Sequence, residues 1–114
     1  MIQSEELRET ISRMITELRS IYGKTILEVI LYGSFARGTQ TEESDVDIAL
    51  ILSGKPARSL TDAMIDCVAA HELNCGRVLS VIDIDVGKFD RWGDVLPFYR
   101  NIRNEGVVLW KAAA

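Results

Sequence analysis

Two short runs of aliphatic, β-branched and aromatic residues, Ile26 to Tyr32 (ILEVILY) and Val46 to Leu52 (VDIALIL), constrain the fold of this chain more than anything else in it. Each has the length of a buried strand rather than a helix. Each is also cut off by turn-forming residues, Gly33-Ser34 after the first and Ser53-Gly54-Lys55-Pro56 after the second. Helical patterns flank them. Residues 4 to 21 carry Leu7, Ile11, Met14, Ile15, Leu18 and Ile21 at the three-and-four spacing of one buried stripe, with Ser4 suited to cap the start and Gly23 the end. Residues 59 to 73 predict a second helix. Ser59 and Asp62 resemble a capping box, Leu60, Met64, Ile65, Val68 and Leu73 supply the apolar face, and Asn74 and Gly76 the stop. A third strand is expected at Val78 to Ile84 and irregular chain at Gly87 to Gly93. A short helix at Val95 to Asn104, opened near Pro97, then leads through Gly106 to a final strand at Val107 to Trp110. This order predicts one α/β (α+β) domain over residues 1–111, a small mixed β-sheet flanked by helices, with residues 112–114 as a disordered tail.

With 114 residues the chain has room for one core but not for a catalytic domain plus a second, substrate-reading domain, so an acceptor-binding surface is expected on another chain. Its 47% hydrophobic and 26% charged residues are those of a soluble globular protein, and no stretch approaches the roughly 18 apolar residues of a membrane span. The start MIQSEELRET is acidic where a signal peptide is basic and then apolar, so a cytoplasmic location is expected. A net charge of −4, from 13 basic and 17 acidic residues, argues against nucleic-acid binding by phosphate neutralisation, although a local basic patch stays compatible with it. Cys67 and Cys75 match no zinc spacing and His71 is the sole histidine, so the expectation is two reduced thiols packed near the end of a helix.

The chemistry concentrates in Leu31-Tyr32-Gly33-Ser34-Phe35-Ala36-Arg37-Gly38 and Ser44-Asp45-Val46-Asp47-Ile48. In the first segment a strand runs into a glycine, which allows close approach to the backbone, and then into a hydroxyl residue opening a helical turn. Backbone N–H groups there, with the Ser34 hydroxyl beside them, suit a phosphate. Glycine-serine after a strand is also an ordinary turn, and an isolated Asp-x-Asp is also a solvated turn followed by an exposed strand residue. The combination is more specific. Side chains alternate along a strand, so Asp45 and Asp47 project from one face, roughly 7 Å apart along the chain. Two such carboxylates repel, and burial raises a pKa unless a cation lies between them. Magnesium, which takes one or two carboxylates together with substrate phosphates, resolves the conflict.

GSFARG followed by SDVDI resembles the DNA polymerase β-type nucleotidyltransferase superfamily, and within it the small MNT (minimal nucleotidyltransferase) group. The closing stretch Asn101 to Trp110 is similar to that family's ending, so the resemblance covers most of the chain. It implies a polymerase β-like fold, a nucleoside triphosphate substrate, ATP by expectation, contacts from Gly33 and Ser34 to its phosphates, and one or two Mg²⁺ ions on Asp45 and Asp47. Arg37 would add a charge-assisted phosphate contact, or would instead pair on the surface with Glu42 or Glu43.

Active members of the superfamily commonly carry a third carboxylate on the next core strand. Asp83 and Asp85 are the candidates in VLSVIDID. A crossover helix joins parallel strands, however, which would put Ser80 or Leu79 level with Asp45 and Asp47, and Asp83 or Asp85 about 10–16 Å further on. Either the register differs or the third acid is missing. The resemblance implies transfer of a nucleoside monophosphate to a protein or small-molecule hydroxyl, with a HEPN-domain chain as a partner and this chain as its antitoxin. The alternative is a binding module of the same fold, with Trp92, Phe98, Tyr99 and Trp110 supplying either an interface or core. An antibiotic-modifying enzyme is disfavoured for want of an aminoglycoside-binding domain. A homodimer is a further possibility with no residue pattern behind it.

Overall fold

In the computed structural model, which describes residues 4–113, the first helix, α1 (Glu5–Tyr22), begins where the Ser4 hydroxyl accepts a hydrogen bond from the Leu7 N–H at 3.3 Å. It ends at Gly23, whose N–H bonds to the Arg19 carbonyl. A single 3₁₀ turn leads into β1 (Ile26–Tyr32), followed by a four-residue helix α2 (Ser34–Arg37) and then β2 (Val46–Leu52). Both strands have the bounds the apolar runs predict. A long helix, α3 (Arg58–Cys75), crosses over to β3 (Leu79–Asp85); α4 (Val86–Trp92), α5 (Pro97–Glu105) and β4 (Val107–Lys111) complete the chain.

The sheet order is β3-β2-β1-β4. β1 runs antiparallel to both β2 and β4, and β2 is parallel to β3, as a helical crossover requires. The sheet is therefore mixed, as expected. α1 and α3 pack on one face around Met14, Leu18, Ile48, Leu50 and Val68, whereas α4 and α5 cover part of the other face through Phe89 and Ile102 on Ala49 and Ile51. β2 is thus apolar on both sides, which is why its sequence reads as a run rather than an alternation.

The structure departs from the sequence reading in four places. α3 starts one residue early, with Ala57 in the extended capping position and no side-chain cap, so Ser59 lies inside the first turn and the Ser59/Asp62 capping box does not form. Its buried stripe is Met64, Val68 and His71; Ile65 and Leu73 are 54% and 88% exposed. Leu73 follows His71 by two residues and so emerges on the opposite side of the helix. Most of the stretch 87–93, expected to be irregular, is helical as part of α4, because the Asp85 carboxylate accepts from the Gly87 N–H at 2.9 Å and Phe89 anchors the helix in the core. Lastly, the Ala112 N–H donates to the Leu27 carbonyl at 2.8 Å, tying the first residue of the expected tail to β1. Residues 1–3 and 114 lie outside the described residues. No helix among the described residues is long and apolar enough to cross a membrane.

Candidate active site

The site lies where β1 ends and β2 begins. Gly33 sits at φ +76° and ψ −156°, a region open essentially to glycine alone. The reason is steric as well as conformational: a Cβ at residue 33 would collide with the Asp47 carboxylate. The glycine turn and the second aspartate, inferred separately from sequence, are therefore in van der Waals contact. The Gly33 carbonyl accepts from the N–H groups of Ala36 and Arg37, both at 3.1 Å. The N–H groups of Ser34 and Phe35 precede that first bond and carry no helical partner.

Asp47 is flanked across the sheet by Tyr32 on β1 and Ser80 on β3. Its carboxyl is pushed above the ordinary range by burial first and by the charge of Asp45 second, with Arg37 opposing. Asp45 is exposed and lies just before the strand. Tyr32 is pushed up to about 12, by burial and then by the Asp47 charge. Asp47 and the exposed Asp45, beside the N–H groups that open α2, form an oxygen donor set suited to a hard divalent cation shared with a phosphate.

Arg37 does not pair with Glu42 or Glu43. Its Nη1 meets Glu105 Oε2 at 2.9 Å, from the last residue of α5, while its charge still reaches Asp47. Both side chains are more than a third exposed, so this pair is weakly held and open to exchange. The loop between the two halves is fixed by a residue the sequence reading did not select. Arg77 donates to the Ser44 carbonyl at 2.8 Å, and its guanidinium lies 5.3 Å from the Phe35 ring centroid, linking the approach to Asp45 with α2. Nothing local marks Arg77, because its partners are brought to it by the parallel pairing of β3. The exposed Phe98 ring lies 5.7 Å from Tyr32 and borders the site; Trp92 is also exposed, whereas Tyr99 and Trp110 are half-buried.

The third-acid question has a geometric answer. Asp47 is level with Ser80, and Asp83 is level with Leu50. Asp83 also faces the other way, since its Oδ2 accepts from Tyr22 Oη at 2.9 Å and Thr61 Oγ1 at 2.6 Å, in the layer of α1 and α3. Asp85 is the cap of α4. Among the described residues, no group of three potential metal-ligating side chains includes Asp45 or Asp47.

A mixed four-stranded sheet that ends a strand on a glycine turn against paired aspartates defines a class of nucleotide-handling domains, and known proteins bear this out. The family model described as "Nucleotidyltransferase domain" matches residues 11–95. The chain belongs to that family and is an enzyme of the nucleotidyltransferase class. A candidate protein adenylyltransferase of Methanocaldococcus jannaschii is 33% identical over 105 residues, covering 90% of this chain and 96% of the relative. Among solved structures, a nucleotidyltransferase-type protein from Sulfolobus solfataricus superposes with a TM-score of 0.59 at 22% identity, covering 90% of this chain and 78% of that one. A complex of a tri-AMPylated Shewanella oneidensis HEPN toxin with an MNT antitoxin contains a chain that superposes at 0.57 and 15% identity, covering 92% and 72%. These likenesses carry the polymerase β-like fold, and the resemblance drawn from GSFARG and SDVDI stands.

Proposed function

We propose that this chain transfers AMP from ATP to a hydroxyl group of a protein or small molecule, with Mg²⁺ held by Asp45 and Asp47. We further propose that it acts in the cytoplasm beside a HEPN-domain chain as the antitoxin of the pair. The observation that carries the first part is the contact of Gly33 with the Asp47 carboxylate, which makes the phosphate turn and the acid pair one site. The second part is supported by the adenylyltransferase description of the archaeal relative and by the AMPylated HEPN toxin in the Shewanella oneidensis complex.

The roles follow from position. The N–H groups of Ser34 and Phe35 and the Ser34 hydroxyl hold phosphate oxygens; the absence of a side chain at Gly33 lets the Asp47 carboxylate lie against the same turn. Arg37 exchanges Glu105 for phosphate, a stronger charge-assisted partner. In the transfer the acceptor oxygen bonds to the α-phosphorus, the bond from that phosphorus to the bridging oxygen breaks, and pyrophosphate leaves with the bonding electrons. Mg²⁺, when bound, neutralises charge on the leaving group and lowers the pKa of the attacking hydroxyl. The hydroxyl proton goes to water or to a base on the acceptor chain, because Ser80 beside Asp47 is no base at neutral pH.

Ser80 at that position also favours a second reading, a nucleotide-binding module without turnover. One assay separates the two. Purified protein, alone and with the product of any neighbouring gene, is incubated with magnesium and ATP labelled in the adenosine. Transfer of label, lost in Asp47→Asn, supports the enzyme; magnesium-dependent ATP binding without transfer supports the module.

A further inference from the structure

Away from the nucleotide site, α1 and α3 bring three side chains to one point. Cys67 and His71 stand one helical turn apart on the face of α3 that meets α1, and Glu17 reaches them from α1. Glu17 Oε2 lies 2.9 Å from His71 Nε2 and 3.2 Å from Cys67 Sγ, and one ligand atom from each residue falls within 4.8 Å of the other two. The His71 ring is buried, with only 9% of its side chain exposed, so its orientation is set by packing; Glu17 opens the cluster to solvent.

From this geometry we propose that Glu17, Cys67 and His71 form a three-ligand site for a thiolate-preferring divalent metal of the zinc class, independent of the nucleotide reading. The chemistry fits in three respects. A thiolate and an imidazole select zinc over magnesium, so this site and the Asp45/Asp47 pair would not compete for one ion. Tetrahedral ligation at zinc bond lengths separates donor atoms by about 3.4–3.6 Å, so the two observed spacings need open by only about 0.4–0.5 Å, within the torsional reach of the exposed Glu17 side chain. The charges also close. On binding, the Cys67 thiol proton leaves to water, and one thiolate, one carboxylate and a neutral imidazole bound through Nε2 balance a divalent cation. Three protein ligands leave a fourth position, on the Glu17 side, for water. The bound ion would staple α1 to α3. Both cysteines are free and partly buried, as the sequence predicts; no spacing rule points to the cluster, because its carboxylate lies 50 positions from Cys67, on another helix.

The test uses the full chain, stripped with a chelator and titrated with zinc alone against a chromophoric zinc indicator, and with cobalt(II) alone by absorption. One equivalent of zinc is expected, with a thiolate-to-cobalt charge-transfer band and tetrahedral d–d bands. Cys67→Ser abolishes the charge-transfer band, and Cys75→Ser keeps it. Glu17→Gln, at an exposed position that tolerates the change, weakens zinc binding at least about tenfold, no less than the loss of an outer-shell partner costs. Failure to take zinc from the indicator, a cobalt spectrum without a thiolate band, or zinc binding unchanged in Glu17→Gln would overturn the proposal and leave the three residues as a hydrogen-bonded clamp. Because the parent protein's cobalt spectrum and Glu17→Gln are decisive by themselves, poor folding of a Cys67 variant would not obscure the result.

Discussion

Replacing Gly33 by alanine separates two costs that coincide at this residue. The first is conformational: holding a residue with a Cβ in this backbone region costs about 1–3 kcal/mol. The second is steric, since the new methyl lands on the Asp47 carboxylate, which must swing off its preferred rotamer at about 0.5–1.5 kcal/mol. Together they predict a loss of about 1.5–4.5 kcal/mol, or a fall in Tm of roughly 6–20 °C for a domain of this size. Thermal and urea denaturation of four proteins checks this: the parent, Gly33→Ala, Asp47→Ala and the double variant. In the Asp47→Ala background the steric part vanishes, so Gly33→Ala should cost about 0.5–1.5 kcal/mol less there than in the parent. Equal cost in both backgrounds would refute the contact between Gly33 and Asp47. A Tm matching the parent would refute the backbone geometry itself. Magnesium-dependent ATP binding should be lost with Gly33→Ala even at temperatures where the variant is fully folded.

Asp47→Asn should raise the Tm of the ligand-free protein at neutral pH while abolishing magnesium-ATP binding, because burial and Asp45 both disfavour the carboxylate that the amide replaces; a lower Tm would contradict this. Asp83→Asn should leave transfer activity unchanged but cost about 1–2 kcal/mol in urea denaturation, since Tyr22 and Thr61 lose a charged acceptor; loss of activity in a folded variant would return Asp83 to the metal site. Tyr22 is pushed up by burial and then by Asp83, so its stabilisation is fully present below its ordinary value of 10.0 and is lost as the pH rises from there toward its higher folded value. Tyr22→Phe should therefore flatten the alkaline limb of a Tm-against-pH curve, and an unchanged limb would count against the buried hydroxyl. Arg77→Ala should raise the KM for the triphosphate several-fold with a smaller change in kcat, because Arg77 positions the Ser44 carbonyl and Phe35 rather than touching substrate; an unchanged KM would remove it from that role.

What was legible in the sequence was local. Ile26–Tyr32 and Val46–Leu52 announce themselves because a strand buried on both faces is a bare apolar run, and Ser4 and Gly23 bracket α1 through contacts within one turn. Residues Val86–Trp92 hid a helix because about two turns carrying one buried anchor, Phe89, have no period to detect. Ser59 looked like a cap because capping depends on backbone geometry that the residue type only suggests. The two segments that meet at Gly33 and Asp47 were visible as a motif, and parallel pairing correctly directed attention to Ser80. The face that Asp83 presents needed the packing of Tyr22 and Thr61, from two different helices. The partner of Arg37 lay 68 residues away at Glu105, beyond any spacing rule.

The glycine turn and both aspartates lie within a single antiparallel hairpin, β1 to β2, closed by the 13 residues from Gly33 to Asp45, whereas 26 residues, 53 to 78, separate β2 from β3. Doubling a flexible loop adds about 0.6 kcal/mol of closure entropy, so on the folding pathway the hairpin is favoured to pair before the crossover completes. During refolding the amides of Ile30 and Ala49, which face one another across the hairpin, should thus gain hydrogen-exchange protection ahead of that of Ile82, which faces β2. The proposed nucleotide half-site would take shape with the first contacts of the sheet, and Ser80 would arrive beside Asp47 only after α3 has been laid down.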